Sequence, residues 1–483
     1  MDTNHNSLRE QTHAILLYAP ESCAFRTLTY PQKLFLTLLL ILIALWLSLQ
    51  PFTALLLINI VLVSFYILFS LYKLLLINLS VIRKEPPSPA PEEVEALDES
   101  LLPVYTILVP LFREQRSLPQ LVRGIMALDY PKEKLDVKLL LEENDSPTIE
   151  ACKKLHLKEP FEMLVVPDSL PKTKPKACNY GLYRSRGKFL VIYDAEDIPE
   201  PDQLKKAVAL FARTPKEVVC LQARLNFYNS RQNLLAKWFT AEYSMWFDLY
   251  LPGLCAVDAP IPLGGTSNHF LADELKKMYG WDPYNVTEDC DLGIRLYGLG
   301  KRTMMLDSTT WEEACASPGG WFRQRSRWVK GYIQTYLVHN RRPFHSLKTL
   351  GLMGWFHFHM VVGGMFFCFL INPFYWILTL IWFATRWHTV SLLFPALIFF
   401  LGALCLFLGN FIFIYICALG VYRRRYFDLV KYALLVPPYW LMISLAAWKG
   451  FFQLITNPFY WEKTEHGFAH PEGNHETAIP KNQ

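Results

Sequence analysis

KFLVIYDAED, residues 188–197, drives an unbroken apolar run straight into three carboxylates, Asp194, Glu196 and Asp197. A run without polar alternation reads as a strand covered on both faces, the habit of parallel sheets flanked by helices. VYTILVP (104–110), VKLLLEE (137–143) and EMLVVP (162–167) repeat the pattern. Amphipathic stretches lie between and after these runs, LPQLVRGIMALDY (118–130) and LKKAVALFART (204–214) among them. The alternation predicts an α/β domain over 103–343, with its ligand site beyond the carboxyl ends of the strands. Polar residues collect there: Glu142-Glu143 after the second run and Asp194 to Asp197 after the fourth.

Outward from this domain the chain turns apolar. Of the 483 residues 52% are hydrophobic and only 19% charged, below the quarter or so usual for soluble proteins. Leu34 to Tyr72 carries no charge, and neither do Thr349 to Thr385 and Val390 to Tyr422. About 20 residues cross a hydrocarbon core, so 34–82 holds two passes that turn at Gln50-Pro51, and 344–460 holds interfacial and transmembrane helices. The first apolar run starts at Leu34, too late for a cleavable leader. Arg83-Lys84 and Arg423 to Arg425 put the central domain and the segment 1–33 on the cytoplasmic side of the cell membrane. Residues 83–102, rich in Pro and Glu, read as a solvated linker, and 461–483 as a polar tail. Four crossings follow; the stretch Tyr432 to Tyr460 either spans or lies in the interface. His357, His359, Asn372 and Tyr375 are each readable as lining a path through the membrane or as helix-packing contacts.

The net charge of +5 and the absence of arginine-rich tracts argue against nucleic acid as a partner. None of the ten cysteines forms a C-x-x-C pair, so a zinc knuckle or thioredoxin motif is excluded. Neither a P-loop nor a G-x-G-x-x-G sequence is present. Three constellations remain. Asp194, Glu196 and Asp197 repel one another unless a hard cation such as Mg²⁺ or Mn²⁺ sits among them, although a solvated acidic turn fits equally. Thr287-Glu288-Asp289 offers a general base or, alternatively, a helix start with acids on the dipole. Gln324-Arg325-Ser326-Arg327-Trp328 offers a cation for a diphosphate and a ring for a sugar, or else a basic interfacial helix.

Taken in order, Asp194-Ala195-Glu196, Thr287-Glu288-Asp289 and Gln324-x-x-Arg327-Trp328 resemble the D-x-D, T-E-D and Q-x-x-R-W motifs of processive, membrane-bound family 2 glycosyltransferases, the group of cellulose, chitin and hyaluronan synthases. VYTILVPLFRE, with Pro110 and Glu114, is similar to the family's opening strand, and Lys174 to Asn179 to its K-x-x-A-x-N stretch. The runs YDAEDIPEPDQL, GGTSNHF, WDPYNVTEDCDLG and WEKTEHG resemble a bacterial β-glucan synthase-like branch. Two positions depart from the pattern: Glu196 replaces the second aspartate of D-x-D, and Glu142-Glu143-Asn144-Asp145 stands where an Asp-Asp pair is usual.

The resemblance implies a GT-A fold inserted between transmembrane helices and an inverting, metal-dependent hexosyltransferase. A nucleotide-diphosphate sugar, UDP-glucose by default, would bind through Mg²⁺ or Mn²⁺ held by Asp194 with Glu196 or Asp197. Asp289, next to Glu288, would take the acceptor proton. Pro110, Glu114, Glu143 (in preference to Asp145), Lys176, Asn179, Gln324, Arg327 and Trp328 would contact substrate. His269 would line the acceptor end, although a structural histidine is the commoner reading, and Trp461 to Gly467 would form a lid. The expected product is a growing β-linked polysaccharide exported through the protein's own helices. The alternatives are a single transfer to a membrane lipid and an inactive membrane scaffold.

Overall fold

The computed structural model describes residues 8, 10–83 and 88–462. The chain enters the membrane frame through α1 (Tyr30–Leu49) and α2 (Pro51–Ile82), both long and apolar enough to cross a bilayer. Pro51 occupies the first turn of α2, where its missing N–H would be unpaired anyway, so the chain turns at Gln50 as expected. No side chain of α1 is buried against the rest of the protein, an apolar surface that suits only a hydrocarbon solvent. The segment before α1 lies along the α/β domain. Thr12 O accepts from Asn179 Nδ2 at 3.2 Å, Cys23 O accepts from Arg341 Nη1 at 2.9 Å, and Ala24 N donates to Asp282 at 2.5 Å. Of the expected linker, residues 84–87 lie outside the described residues. The remainder is no free spacer, because Glu93 pairs with Arg213 at 2.9 Å, Glu99 with Lys205 at 2.8 Å, and Val94 is buried.

The domain is one eight-stranded sheet. The four apolar runs of the sequence form β1 (Tyr105–Leu111), β2 (Leu135–Glu142), β3 (Phe161–Val166) and β4 (Phe189–Ile192), mutually parallel in the order β3-β2-β1-β4. The sheet then continues through β7 (Asn268–Leu271), β6 (Val218–Phe227), β8 (Arg302–Glu312) and β5 (Ile198–Pro199). β7 is antiparallel to β4 and β6, and β5 to β8, so the sheet is mixed rather than wholly parallel. β3 is an edge strand with Met163 and Val165 exposed, which departs from the burial its apolar run suggested. The α/β domain between membrane-length helices that the GT-A resemblance implied is thus present. Helices α3 (Leu118–Met126), α4 (Ser146–Lys154), α5 (Lys174–Leu182), α6 (Gln203–Arg213), α7 (Leu234–Met245) and α8 (Glu288–Gly298) pack around it. Gly253 lets the domain touch the membrane frame: a Cβ there would stand 2.3 Å from Leu76 O of α2.

After the sheet come α9 (Pro318–His339), α10 (Pro343–Thr385, bent at Gly351, φ 68°), α11 (Ala396–Arg423) and α12 (Pro437–Thr456). The last apolar stretch, α12, lies beside α9 and is bent by 65° from the short helix Phe427–Ala433 before it, the shape of a broken span or a re-entrant segment. Tyr432 O accepts from Trp238 Nε1 of α7 at 3.2 Å, just before α12. Just after it, Tyr460 O accepts from Lys330 Nζ of α9 at 2.8 Å. Both ends thus touch α7 or α9, and among the described residues four helices are long and apolar enough to cross a bilayer, or five with this bent pair. The candidates for a membrane path each pair with a side chain of another helix: His357 with Tyr72 (2.9 Å), His359 with Tyr336 (2.9 Å), Tyr375 with Asn59 (2.8 Å) and Asn372 with Tyr66. They are interhelical contacts, which satisfy polar groups that lipid cannot.

Candidate active site

The carboxyl ends of β1, β2, β4, β6 and β8 open onto one cavity of about 350 Å³. Strand order reverses at β1, with β2 on one side and β4 on the other, which opens a crevice at those strand ends. Pro110 and Glu114 reach it from β1, Glu142 and Asn144 from β2, Asp194 and Glu196 from β4, Phe227 from β6 and Glu312 from β8. Opposite stand Glu288 and Asp289 at the start of α8, and Gln324, Arg327 and Trp328 on α9. The three constellations read separately in the sequence thus share one wall-to-wall site.

Asp197 is not part of it. Its carboxylate accepts from Asp194 N at 2.7 Å and from the Thr266 hydroxyl, closing the 194–197 turn beneath the cavity floor. This leaves Asp194 and Glu196 as the cavity's pair from that turn. Burial, with Asp194 alongside, raises the Glu196 carboxyl well above the usual range, and burial does the same to Glu312. The cation among these acids is Lys174, at the N-terminus of α5. Its Nζ donates to Gly265 O at 2.8 Å and pairs with Asp194. Burial alone would lower its pKa, but Asp194 and Glu288 outweigh burial and raise it.

Burial and the neighbouring Asp289 push Glu288 up to about 8, and burial raises Asp289 as well. Asp289 Oδ1 accepts from Cys290 N at 2.7 Å, and its other oxygen lies 3.4 Å from where a Cβ on Gly265 would stand. Arg327 donates to Val286 O at 3.2 Å and carries Trp461 over its guanidinium at 4.4 Å. Trp461 lines the cavity, while 463–467 of the expected lid lie outside the described residues.

Four expected contacts fall elsewhere. Lys176 is wholly buried, donating to Glu142 Oε2 at 2.9 Å and to Ser169 O at 3.2 Å. It lies two residues, roughly 200°, around the helix from Lys174. Glu143 points away from the cavity and accepts from Asp168 N at 2.8 Å, because successive strand residues face opposite sides. Asn179 is buried in a structural knot: its Nδ2 donates to Trp281 O at 2.8 Å and its Oδ1 accepts from Trp281 N at 2.9 Å. His269 is fully buried, with Tyr105 OH at 2.7 Å and Gln203 Oε1 at 3.2 Å on its two nitrogens, and burial lowers its pKa to about 3. It is a core histidine. Conversely, Lys174, Glu242 and Glu312 line the cavity without having been given a role, and so does Arg325, quoted only as part of the Gln324–Trp328 run. Only Lys174 carried a usable signal, as the first residue of K-x-x-A-x-N.

Beyond the acids the cavity wall turns apolar. Tyr243, Trp246 and Phe247 line it, and Met365, Phe366 and Phe369 of the membrane helix α10 continue it.

Residues 103–331 match the family described as glycosyltransferase like family 2. The chain is 24% identical over 284 residues to the "probable glycosyltransferase YdaM" of Bacillus subtilis, covering 57% of this chain and 67% of that one. It is 28% identical over 242 residues to a beta-monoglucosyldiacylglycerol synthase of Trichormus variabilis, covering 49% of this chain and 50% of the relative. The matches thus span about half to two thirds of these relatives' length. A solved mannosyltransferase of Pyrobaculum calidifontis, in complex with GDP-Man and Mn²⁺, overlays at a TM-score of 0.49 and 17% identity, over 83% of this chain and 99% of that one. The similarity is to sugar transferases at large, and none of these matches singles out a cellulose, chitin or hyaluronan synthase.

Proposed function

We propose that this chain, whose central domain is related to the family 2 glycosyltransferases, transfers a sugar from a nucleotide-diphosphate donor to a hydroxyl carried by a membrane lipid. The observation that supports this is the continuity of the cavity. It runs from Asp194, Lys174 and Asp289 to an apolar wall supplied by Met365, Phe366 and Phe369 of a membrane helix. An amphiphile fits such a site, with its hydroxyl at the acids and its tail toward the bilayer. The relative named for a glucosyldiacylglycerol product agrees with this class of acceptor, and UDP-glucose is the donor proposed here.

In this reading the donor diphosphate faces Lys174 and Arg327. Asp289 takes the proton of the acceptor hydroxyl as that oxygen attacks the anomeric carbon and the bond to the diphosphate breaks. One displacement inverts the configuration, so an α-linked donor yields a β-linkage. Glu288, with its pKa near 8, retains its proton beside Asp289 at neutral pH and leaves the negative charge to the base. Trp328 stacks on the acceptor. Among the described residues no three side chains are already arranged around a metal ion. Asp194, Glu196 and Glu312 nevertheless form a crowded set of hard oxygen donors in one cavity, which fits Mg²⁺ or Mn²⁺. Asp194 and Glu196 would hold the ion, and it would supply charge neutralisation to the leaving diphosphate. The cytoplasm, where nucleotide sugars are available, is the side proposed for the domain, consistent with Arg83 and Arg423 to Arg425 at the membrane ends.

The second reading, a β-linked polysaccharide exported through the membrane helices, keeps the four crossings in its favour. The pairing of the polar intramembrane side chains with neighbouring helices weighs against it. The two separate in one experiment. Protein in nanodiscs containing dioleoylglycerol is given Mn²⁺ and radiolabelled UDP-glucose, GDP-mannose or UDP-N-acetylglucosamine, beside Asp289→Asn and EDTA controls. Label in the organic phase that depends on Asp289 supports the lipid acceptor. Ethanol-insoluble, glycosidase-sensitive label supports the polymer, and no Asp289-dependent label leaves the scaffold.

A further inference from the structure

An ion pair of a buried Arg325 with a half-buried Glu242 stands at the junction between the acidic and apolar parts of the cavity. Arg325 of α9 donates from Nη1 to Glu242 Oε1 at 2.8 Å and from Nη2 to Glu242 Oε2 at 2.5 Å, a two-pronged fork onto a residue of α7. Tyr439 of α12 donates to Glu242 Oε2 at 2.6 Å, accepts from Arg325 Nη2 at 3.0 Å and from Trp321 Nε1 at 3.2 Å. The guanidinium lies 4.8 Å from the Trp328 ring centroid and 5.3 Å from those of Phe239 and Trp321. Trp328 also meets Phe239 at 5.8 Å and Tyr243 at 6.2 Å between ring centroids.

A charged pair among aromatic rings costs desolvation that an apolar pair would avoid, so as a purely structural device it is a poor choice. Its geometry has a different use. The carboxylate fixes the plane of the guanidinium, and the guanidinium fixes the ring it stacks on. Resting on the proposed function above, we infer that Glu242 and Arg325 are positioning residues for the reaction: they hold Trp328 in the orientation that receives the acceptor. Through Tyr439 they also tie that orientation to α12, the helix that lies along the domain. Neither residue transfers a proton or contacts the donor in this scheme.

The test uses full-length protein labelled with 5-fluorotryptophan in nanodiscs, with the Trp328 fluorine resonance assigned from Trp328→Phe. In Glu242→Gln and Arg325→Lys the Trp328 resonance shifts or broadens while the other tryptophan resonances distant from this cage keep their positions. The same variants raise KM for dioleoylglycerol about tenfold, the range of a desolvated cation–π contact, with donor KM within twofold of wild type. Arg325→Lys added to Trp328→Ala brings no further loss, because Arg325 acts through that ring alone. A Trp328 resonance unmoved in both variants overturns the inference, and so do losses that multiply in the double variant. If the wild type uses neither dioleoylglycerol nor cellotetraose as acceptor, the acceptor reading falls, and the fluorine shift still decides whether the pair positions Trp328.

Discussion

Lys174→Gln separates the cavity as built from the one its motif suggested. The lysine Nζ is the cation paired with Asp194, its side chain is 15% exposed, and it also donates to Gly265 O. Glutamine keeps a donor for that carbonyl and removes only the charge. Unit charges about 4 Å apart interact by about 4 kcal/mol at an effective dielectric near 20. Asp194 already satisfies the ammonium, so roughly half of this is gained when a diphosphate arrives, about 2 kcal/mol. That corresponds to about a 30-fold fall in kcat/KM for the nucleotide sugar. The assay is initial rate against donor concentration in nanodiscs with Mn²⁺, with Lys176→Gln measured in parallel. Lys176→Gln loses its pairing with Glu142 beneath the cavity floor and so lowers the melting temperature, with a smaller change in donor kinetics. A Lys174→Gln enzyme within threefold of wild type would refute the assignment. A larger kinetic loss in Lys176→Gln at unchanged melting temperature would refute it equally.

Two further outcomes follow from buried groups. Asp289 must be ionised to act, and both it and Glu288 have raised pKa values, Glu288 about 8. Activity therefore rises with pH as Asp289 loses its proton, its limb lying above the usual carboxylate range, while Glu288 holds its own proton up to about 8. Glu288→Gln imitates that protonated neighbour and so leaves the acid limb in place in a rate profile from pH 4 to 9; a limb moved to lower pH in the variant would show that Glu288 ionises before Asp289. Asn179→Leu strips partners from Trp281 N, Trp281 O and Thr12 O, at about 1–3 kcal/mol for each buried group left unpaired. The melting temperature falls while donor KM in the surviving enzyme holds. A raised donor KM at unchanged melting would instead return Asn179 to the substrate.

Several features were legible along the chain because each belongs to a single element. Unbroken apolar runs marked β1 to β4, uncharged stretches marked the membrane helices, and Asp194, Glu196, Asp289 and Arg327 stood in recognisable order. The other half of the sheet was not, since β5 pairs only Ile198 and Pro199 and β7 only four residues, too short for a periodicity to register. Hydropathy likewise could not place α12: an apolar face covered by α9 and α10 is written in the same residues as one covered by lipid.

Composition and order thus established an α/β domain framed by membrane helices and the residue types of its chemistry. Which side chains meet was decided by folding. Lys174 and Lys176 differ by two positions on one helix, and Glu142 and Glu143 by one at a strand end, yet one of each pair enters the cavity and the other does not. Glu242, Arg325 and Tyr439 lie on three separate helices, and no local pattern announces that they share two carboxylate oxygens. Propensity and hydropathy act over a few neighbouring residues, whereas the direction of a side chain depends on the register and rotation of its element against partners a hundred residues away.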